Sequence, residues 1–584
     1  MSVMPRNLEG QSANSQEVRP MRFALVFYPF NYKVHEENIR IVQKYFGVFP
    51  PLNEMWVAAI AEKHGHQCII VDARTLMLSK AEVVDILKLF RPDIVGFRVT
   101  TYMFPDMLEW ARHIKRSLNV PILIGGYNLR VYPKESLAHP EIDFGCVNSA
   151  LYTVPRLLEE LESGRRGFDE VPGLVYKKNG EIIQTPPHDP PERFDDYPNP
   201  ARHLVPNELY AEFPTTRRNF SLMVTSKGCP MRCVFCEAGG TAYDPRSPEK
   251  VVDEMEECVR DYNIHEIDIF DYEFPMIRKR TMAICREIQR RKLDVVWCCR
   301  SRVDTVDEEL LREMKKAGCH RIYFGIESVH QKVLNEVRKG ITPDQVRKTI
   351  RICKELDIMA LGFFLIGNPG ESEKMIYETV EFAKELDLDY AQFSKLLAKP
   401  WSGYWKEMVA RTGCDYWREW VLGKETDRPL ARHWTKLSNE AIDRIARNCY
   451  WRFALRPGYL FRETMKCGSL FEWKRKAAAL FDMLFSQEGV STGDPGFRIY
   501  NAAPLEDRRA AMERLWGPNF KFLSLPRIPK PPPPPILSYG TGESGPLKRR
   551  LKVFWFGRHA PAATPSPAPA AYPQSQRPPG EAAG

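Results

Sequence analysis

Between Met21 and about Glu162, short apolar runs rich in β-branched residues alternate with longer amphipathic stretches. RFALVFYP, QCIIVDA, DIVGFRV, VPILIGG and IDFGCVN read as strands. MWVAAIAEKHG and MLEWARHIKRSL carry the helical period between them. Strands without polar alternation, spaced by helices, predict βαβ units around a parallel sheet buried on both faces. A second array runs from about Phe220 to Lys395, with strands SLMVTS, EIDIFD, DVVWCC, RIYFGIE, MALGFFLIG and YAQFSK. Its helices open on Ser, Thr or Asp caps or an early Pro, as in PEKVVDEMEECVRDY and PDQVRKTIRICKEL. Six strand–helix units fall short of the eight in a closed barrel, which predicts a partial (β/α)6 barrel.

The expected fold class is therefore α/β: an open, Rossmann-like parallel-sheet unit, a partial barrel, a mostly helical region and a Pro-rich tail. Six segments follow: a polar, disordered N-terminus (1–20), the first sheet (21–165), a Pro- and Asp-rich connection (166–215), the barrel (216–400), helices (401–525) and a disordered basic tail (526–584). The tail is dense in Pro, including the run Pro531 to Pro535, so it is expected to be extended.

Hydrophobic residues make up 43% of the chain and charged residues 27%. Those proportions exclude wholesale disorder and collagen-like repeats. The longest apolar run, Met359 to Gly367, is less than half a membrane span. The first twenty residues lack the apolar core of a secretory signal, so a cytoplasmic location is expected. The net charge is +9, but residues 526–584, with eight Lys/Arg and two Asp/Glu, hold +6 of it. The folded part is nearly balanced, and no nucleic-acid partner is expected.

Fourteen cysteines in a reducing compartment point to core packing or metal ligation rather than disulfides. Three of them, Cys229, Cys233 and Cys236, stand in a C-x3-C-x2-C spacing in SKGCPMRCVFCEAGG, directly after the first barrel strand. Gly228 and Pro230 argue against a regular helix there, whereas a loop can wrap three thiolates around one inorganic centre. Structural zinc wants four protein ligands, and no Cys or His follows Cys236 at short spacing; Cys258 or His265 would have to be the fourth. Three cysteines on a four-iron cubane leave one iron open to a substrate or cofactor.

This motif, after a strand and before further β/α units, resembles the radical S-adenosylmethionine (SAM) superfamily. The resemblance implies a [4Fe-4S] cluster that binds SAM at its open iron and generates a 5′-deoxyadenosyl radical. It places Phe235, before the last cysteine, with its backbone at adenine. Asp271 and Glu273, at the end of the second strand, stand where a carboxylate meets SAM's amino group. Arg300 and Arg302 follow the third strand, with Cys298 and Cys299 packing on its opposite faces. Glu327 and Ser328 end the fourth strand as candidates for the SAM ribose, and Lys339 for its carboxylate. Gly367 and Gly370, in LIGNPGE, permit close backbone approach; Asn368 replaces the apolar residue common in relatives.

Over roughly residues 21–400, the order of the two units is similar to the cobalamin-binding radical SAM subfamily. That subfamily includes methylases of unactivated carbon and the anaerobic magnesium-protoporphyrin IX monomethyl ester cyclase. Gly125 and Gly126, ending the fourth strand in ILIGGYN, would admit the corrin at the sheet's ligand edge. The cobalt-binding D-x-H-x-x-G motif is absent, and Val147, Asn148, Ser149 and Ala150 replace the usual G-x-G-E, so an acidic contact is missing. The first expectation is methyl transfer to an unactivated carbon of a lipid or natural product. Oxidative ring closure of the cyclase type is the alternative, and a zinc-stabilised, non-enzymatic interaction protein the rival. The partners expected are a small-molecule or lipid substrate and a reductant such as flavodoxin or ferredoxin. KRRLKVFWFGR, in the tail, suits peripheral contact with anionic lipid. No residue is legible as quenching the final intermediate. Deletion of residues 526–584 is expected to leave cluster assembly intact, measured as iron and acid-labile sulfide; loss of iron would move the boundary.

Overall fold

The computed structural model describes residues 19–29 and 47–465 (apart from 148, 190, 213, 214, 216, 218 and 425–433), with 473, 476, 477 and 503–517. The expectations for residues 1–18 and for the tail lie outside the described residues. β1 (Arg22–Phe27), β2 (Gly47–Val48), β3 (Gln67–Asp72), β4 (Ile94–Arg98), β5 (Ile122–Gly125), β6 (Phe144–Cys146), β7 (Leu174–Lys178) and β8 (Glu181–Gln184) come first. All but β2 form one sheet, ordered β3-β1-β4-β5-β6-β7-β8. The five strands predicted from the sequence pair in parallel. They are apolar on both faces because helices cover both: 52–63 and 150–163 on one side, 80–90 and 104–118 on the other. The order reverses between β1 and β4, and open sheets hold ligands at the carboxyl ends beside such a reversal.

β7 and β8 lie within the stretch read as a connection, yet they extend this sheet antiparallel. Their turn is Asn179-Gly180, both with positive φ (51° and 84°). Asn-Gly between short strands is a hairpin signal, and KKNGEI carries it.

The second group is β9 (Ala211–Glu212), β10 (Phe220–Met223), β11 (Ser226–Lys227), β12 (Asp244–Pro245), β13 (Glu266–Ile269), β14 (Val296–Ser301), β15 (Cys319–Glu327), β16 (Met359–Ile366) and β17 (Tyr390–Lys395). β10-β13-β14-β15-β16-β17 form an all-parallel, sequentially ordered sheet, the expected partial barrel. Alternation sorts its side chains: Trp297 and Cys299 enter the apolar core under the helices, and Cys298 turns to the opposite face beside Tyr323 and Leu361.

Both sheets share cores with their surroundings. Phe220 and Leu222 of β10 are buried with the first helix layer of the N-terminal sheet. Residues 396–398, the helices 403–412 and 416–421, and the helix 505–516 join its other face. The helix 439–454 instead covers the barrel through Ile442, Ile445 and Phe453. Glu254 is fully buried between Arg202 (2.7 Å) and Arg246, an ion triad linking the connection to the barrel's first helix. No helix among the described residues is long and apolar enough to cross a membrane.

Glu54 is 2% exposed on the helix 52–63, and neither of its carboxylate oxygens has a hydrogen-bond partner among the described residues. Burial pushes its carboxyl up to about 7, against the pull of Arg98. A folded value above the unfolded one means that the native state binds more protons between about pH 4.5 and 7, so stability falls as pH rises through that window. Glu54→Gln is expected to remove this fall and to stabilise the cofactor-free protein by roughly 1–3 kcal/mol at pH 8. Denaturant unfolding at pH 5 and pH 8 measures it.

Candidate functional site

The cysteine loop leaves the carboxyl end of β10. Its first residues are fixed by Asp271, just past β13, which accepts from Thr225 (N and Oγ1, both 2.6 Å) and Ser226 (N 3.2 Å, Oγ 2.6 Å). Gly228 follows at φ 74°, and a Cβ there would lie 1.8 Å from the Ala242 carbonyl oxygen. Only glycine fits such a position. The loop closes on itself: the Cys229 N–H donates to Thr241 Oγ1 (3.0 Å), and Thr241 and Gly240 N–H groups donate to Cys229 (3.0 Å) and Met231 (2.7 Å) carbonyls. These bonds hold the backbone without a helix and leave all three cysteines outside any disulfide.

Burial raises all three thiols, Cys236 to about 11, so they are neutral until a cation draws off their protons. Arg302 Nη1 stands 3.8 Å from Cys233 Sγ. The zinc alternatives lie elsewhere. Cys258 is in the apolar core, and His265 precedes β13, at the opposite edge of the parallel sheet, bonded to the Asp294 carbonyl (2.7 Å). Three cysteines with no fourth beside them among the described residues fit a cluster with an open iron better than a closed zinc site.

Beside the loop, Glu273 is 2% exposed and accepts from Thr305 Oγ1 (2.6 Å); burial raises it to about 7, with Lys339 and Arg302 pulling it down. Lys339 Nζ donates to Glu327 (2.8 Å), both buried. Glu327 is held at φ 67° where β15 slips register against β16. Such bulges re-aim a side chain at a strand end. Gly325 makes the room: a Cβ there would come within 2.5 Å of Lys339 Nζ. Arg302 grips Asp304 with two bonds of 2.8 Å and donates to the Lys339 carbonyl (2.6 Å). Cys233, Arg302, Glu273, Glu327 and Lys339 thus converge at the barrel's carboxyl edge.

The other candidates have protein partners. Asp271 is engaged as described. Arg300 holds Asp268 with two bonds (2.5 and 2.9 Å), its guanidinium 3.7 Å from the Phe270 ring centroid. Ser328, fully buried, faces Thr379 (3.3 Å) and accepts from the His330 N–H (3.2 Å). Gly367 gives its N–H to Glu371 (2.9 Å), and its carbonyl accepts from Trp434 Nε1 (3.1 Å). Deeper in the barrel, Glu212, Asp268 and Cys298 cluster as metal ligands would. There Arg321 lies 3.1 Å from Glu212 and 3.3 Å from Cys298 Sγ, so with Arg300 two guanidiniums fill the cation's place.

The carboxyl edge of the N-terminal sheet meets this loop. Gly126 has φ 112°, and a Cβ on it would strike the Val99 carbonyl oxygen at 2.7 Å. A Cβ on Gly125 would meet only Cys146 Cβ, at 3.8 Å, so that glycine leaves an open cradle for a flat ligand. Tyr127 donates to the Glu237 carbonyl (2.9 Å) and Tyr102 to the Glu237 carboxylate (3.3 Å). Val234 and Phe235 pack against the core on this side. The acidic contact missing after β6 has a neighbour: Ser149 donates to Glu192, which also accepts from Tyr197 (2.7 Å) and Lys227 (2.9 Å). Thr225, Ser226, Thr305, Glu237, Tyr102 and Tyr127 carry no motif. Only the adjacency of Tyr127 to the glycine pair and of Glu237 to Cys236 signals them.

Residues 223–383 match the radical SAM superfamily and residues 40–158 the B12 binding domain. An uncharacterized methyltransferase of Pyrococcus horikoshii is 32% identical, over 71% of this chain and 90% of its own length. An anaerobic magnesium-protoporphyrin IX monomethyl ester cyclase of Rubrivivax gelatinosus is 27% identical, over 71% of this chain and 75% of its own. The solved structure of the cobalamin-dependent S-adenosylmethionine radical enzyme OxsB, with aqua-cobalamin and S-adenosylmethionine bound, superposes with a TM-score of 0.58 at 16% identity, over 80% of this chain and 72% of that one. That last likeness shows a shared fold. With one family covering the barrel, the other the sheet before it, and a relative matched over nine-tenths of its length, the chain belongs to the cobalamin-binding radical SAM enzymes, whose cofactors are a [4Fe-4S] cluster, S-adenosylmethionine and cobalamin.

Proposed function

We propose that the protein transfers a methyl group to an unactivated carbon of a small molecule held between the barrel mouth and the carboxyl edge of the N-terminal sheet. The observation that carries this reading is the contact of Tyr102 and Tyr127 with Glu237, which sets the glycine edge of one unit against the cysteine loop of the other. A substrate in that gap is within reach of both cofactors. Bound there, the cluster and SAM supply one-electron cleavage of a carbon–sulfur bond and cobalamin a transferable methyl group, chemistry suited to a carbon with no acidic proton.

Cys229, Cys233 and Cys236 are the thiolate ligands, and Arg302 offsets the negative charge that they bring. Glu273 accepts from SAM's ammonium and Lys339 pairs with its carboxylate. Glu327, aimed by the bulge, takes the ribose hydroxyls, and the Phe235 backbone lies against adenine. Asp271 is a positioning residue that fixes Thr225 and Ser226. Arg300, with its charge balanced by Asp268, lines the floor under Phe270. Phe270, Tyr272 and Trp401 are exposed large aromatics. Exposed aromatics after β13 and β17, at the carboxyl edge of the barrel, suit an apolar lipid or natural-product scaffold. Gly125 and Gly126 face the corrin. A low-potential carrier such as flavodoxin or ferredoxin provides the electron. The resemblance to the Rubrivivax gelatinosus cyclase favours the second reading, oxidative ring closure.

Anaerobic reconstitution with iron, sulfide, SAM and cobalamin, followed by mass spectrometry, tests this. A product heavier by one methylene unit supports methyl transfer; loss of hydrogen or gain of oxygen marks the cyclase, and zinc without sulfide overturns both. Alanine at any one of the three cysteines is expected to lose iron and reduce 5′-deoxyadenosine formation to background. Glu273 must be ionised to accept from a cation, so SAM affinity is expected to fall as pH drops below about 7. Glu273→Gln should weaken SAM binding about tenfold at pH 8 and flatten that pH profile. Equilibrium dialysis from pH 6 to 8 reads both.

A further inference from the structure

The cysteine loop is divided between two supports. Its first half is held by the barrel side, through Thr241 and the β11–β12 ladder. Its second half is held from the barrel and from the N-terminal sheet together. The Val234 N–H donates to the Val337 carbonyl (3.2 Å), its own carbonyl accepts from the Tyr404 N–H (3.3 Å), and its side chain and that of Phe235 pack on the core of the N-terminal sheet. The next residue after Cys236 then receives two phenols from that sheet's ligand edge. Tyr127 follows Gly126 directly, and Tyr102 lies in the turn Thr101–Met103 after β4. Arg130 sits 5.2 Å from the Tyr127 ring centroid. Its charge over the ring face steadies that ring.

Simple docking of two units does not require this arrangement. Phe220 and Leu222 of β10, buried with the first helix layer of the N-terminal sheet, already join them. Two phenols from neighbouring strand ends, both ending on one residue beside a cluster ligand, place a mechanical link between the corrin edge and Cys236.

We propose that Glu237 is a positioning residue through which the N-terminal sheet sets Cys236, with Tyr127 and Tyr102 as its two contacts, so that cobalamin and SAM bind with coupled affinities. The proposal rests on the corrin lying at the Gly125–Gly126 edge, and it is independent of which bond the enzyme makes. A ligand at that edge presses on the segment that carries Tyr127, and the hydroxyl passes the displacement to the peptide next to Cys236. Coupling of this kind is reciprocal: whatever factor cobalamin imposes on SAM, SAM imposes on cobalamin.

The test uses the full-length protein with its cluster reconstituted. The SAM dissociation constant is measured with and without hydroxocobalamin, for wild type, Tyr127→Phe, Tyr102→Phe and the double variant, with the electron paramagnetic resonance spectrum of the reduced cluster recorded alongside. Wild type should show about a five-fold change in SAM affinity on loading hydroxocobalamin, the scale of one or two hydrogen bonds. In Tyr127→Phe that ratio should move towards one while iron content and cobalamin uptake persist. The spectrum of the loaded variant should match that of cobalamin-free wild type. If Tyr127→Phe loses its iron, Tyr102→Phe, which leaves the carbonyl bond in place, decides by the same ratio. A wild-type ratio of one, or an unchanged ratio and spectrum in the double variant, overturns the link. Failure of wild type to take up hydroxocobalamin would overturn it as well, and is distinguishable because the corrin placement falls with it.

Discussion

A loop that must aim three sulfurs at one point cannot satisfy its own backbone as a helix or a strand would, so its shape has to come from what surrounds it. The loop from Cys229 to Thr241 meets this constraint with a few fixed points. Asp271 takes four hydrogen bonds at its entrance, Gly228 passes where a Cβ would collide with Ala242, and Thr241 closes its base. Its second half is held by Val337 of the barrel and by Tyr127 and Tyr102 of the N-terminal sheet. The shared cores and the ion triad at Glu254 pack the elements that carry these points against one another.

The chemistry around the loop follows from how charge is buried. Arg302 next to Cys233, Lys339 on Glu327 and Glu273 at the barrel edge are all largely shielded from water, where each charge interacts strongly with its neighbour. In the proposed site these charges would offer carboxylates to a cationic group, a lysine to a carboxylate and a guanidinium to a thiolate-bound cluster. Guanidiniums also explain why the deeper trio of Glu212, Asp268 and Cys298 reads as a structural plug: Arg300 and Arg321 already occupy it. The same residue types give the proposed cofactor site at one level of the barrel and a closed network at another.

Two links tie the units at the loop's ends. Lys227, two residues before Cys229, bonds Glu192, which accepts from Ser149 after β6. Glu237, one residue after Cys236, bonds Tyr127 after β5 and Tyr102 after β4. The strand ends of an open sheet, where ligands sit, therefore touch one end of the cysteine segment directly and reach the other through Glu192.

The amino-acid sequence determined the elements and the metal chemistry. Strand runs apolar on both faces can only be buried between helix layers, and a segment broken by Gly228 and Pro230 cannot continue as a regular helix, so the sheets and the cysteine loop were legible locally. The Asn179-Gly180 hairpin was legible too, because both φ values follow from those two residue types, although the surrounding prolines masked it. What the tertiary structure decided is which polar side chain faces which. Asp271 and Glu273 are two apart on one segment, yet one secures Thr225 and Ser226 while the other stands at the site. Ser328 turns to Thr379 while its neighbour Glu327, at φ 67° just after the bulge, turns to Lys339. Tyr127 and Glu237 are 110 residues apart in the chain. Partners so distant leave no periodicity and no spacing to read, because the contact exists only once both sheets have packed.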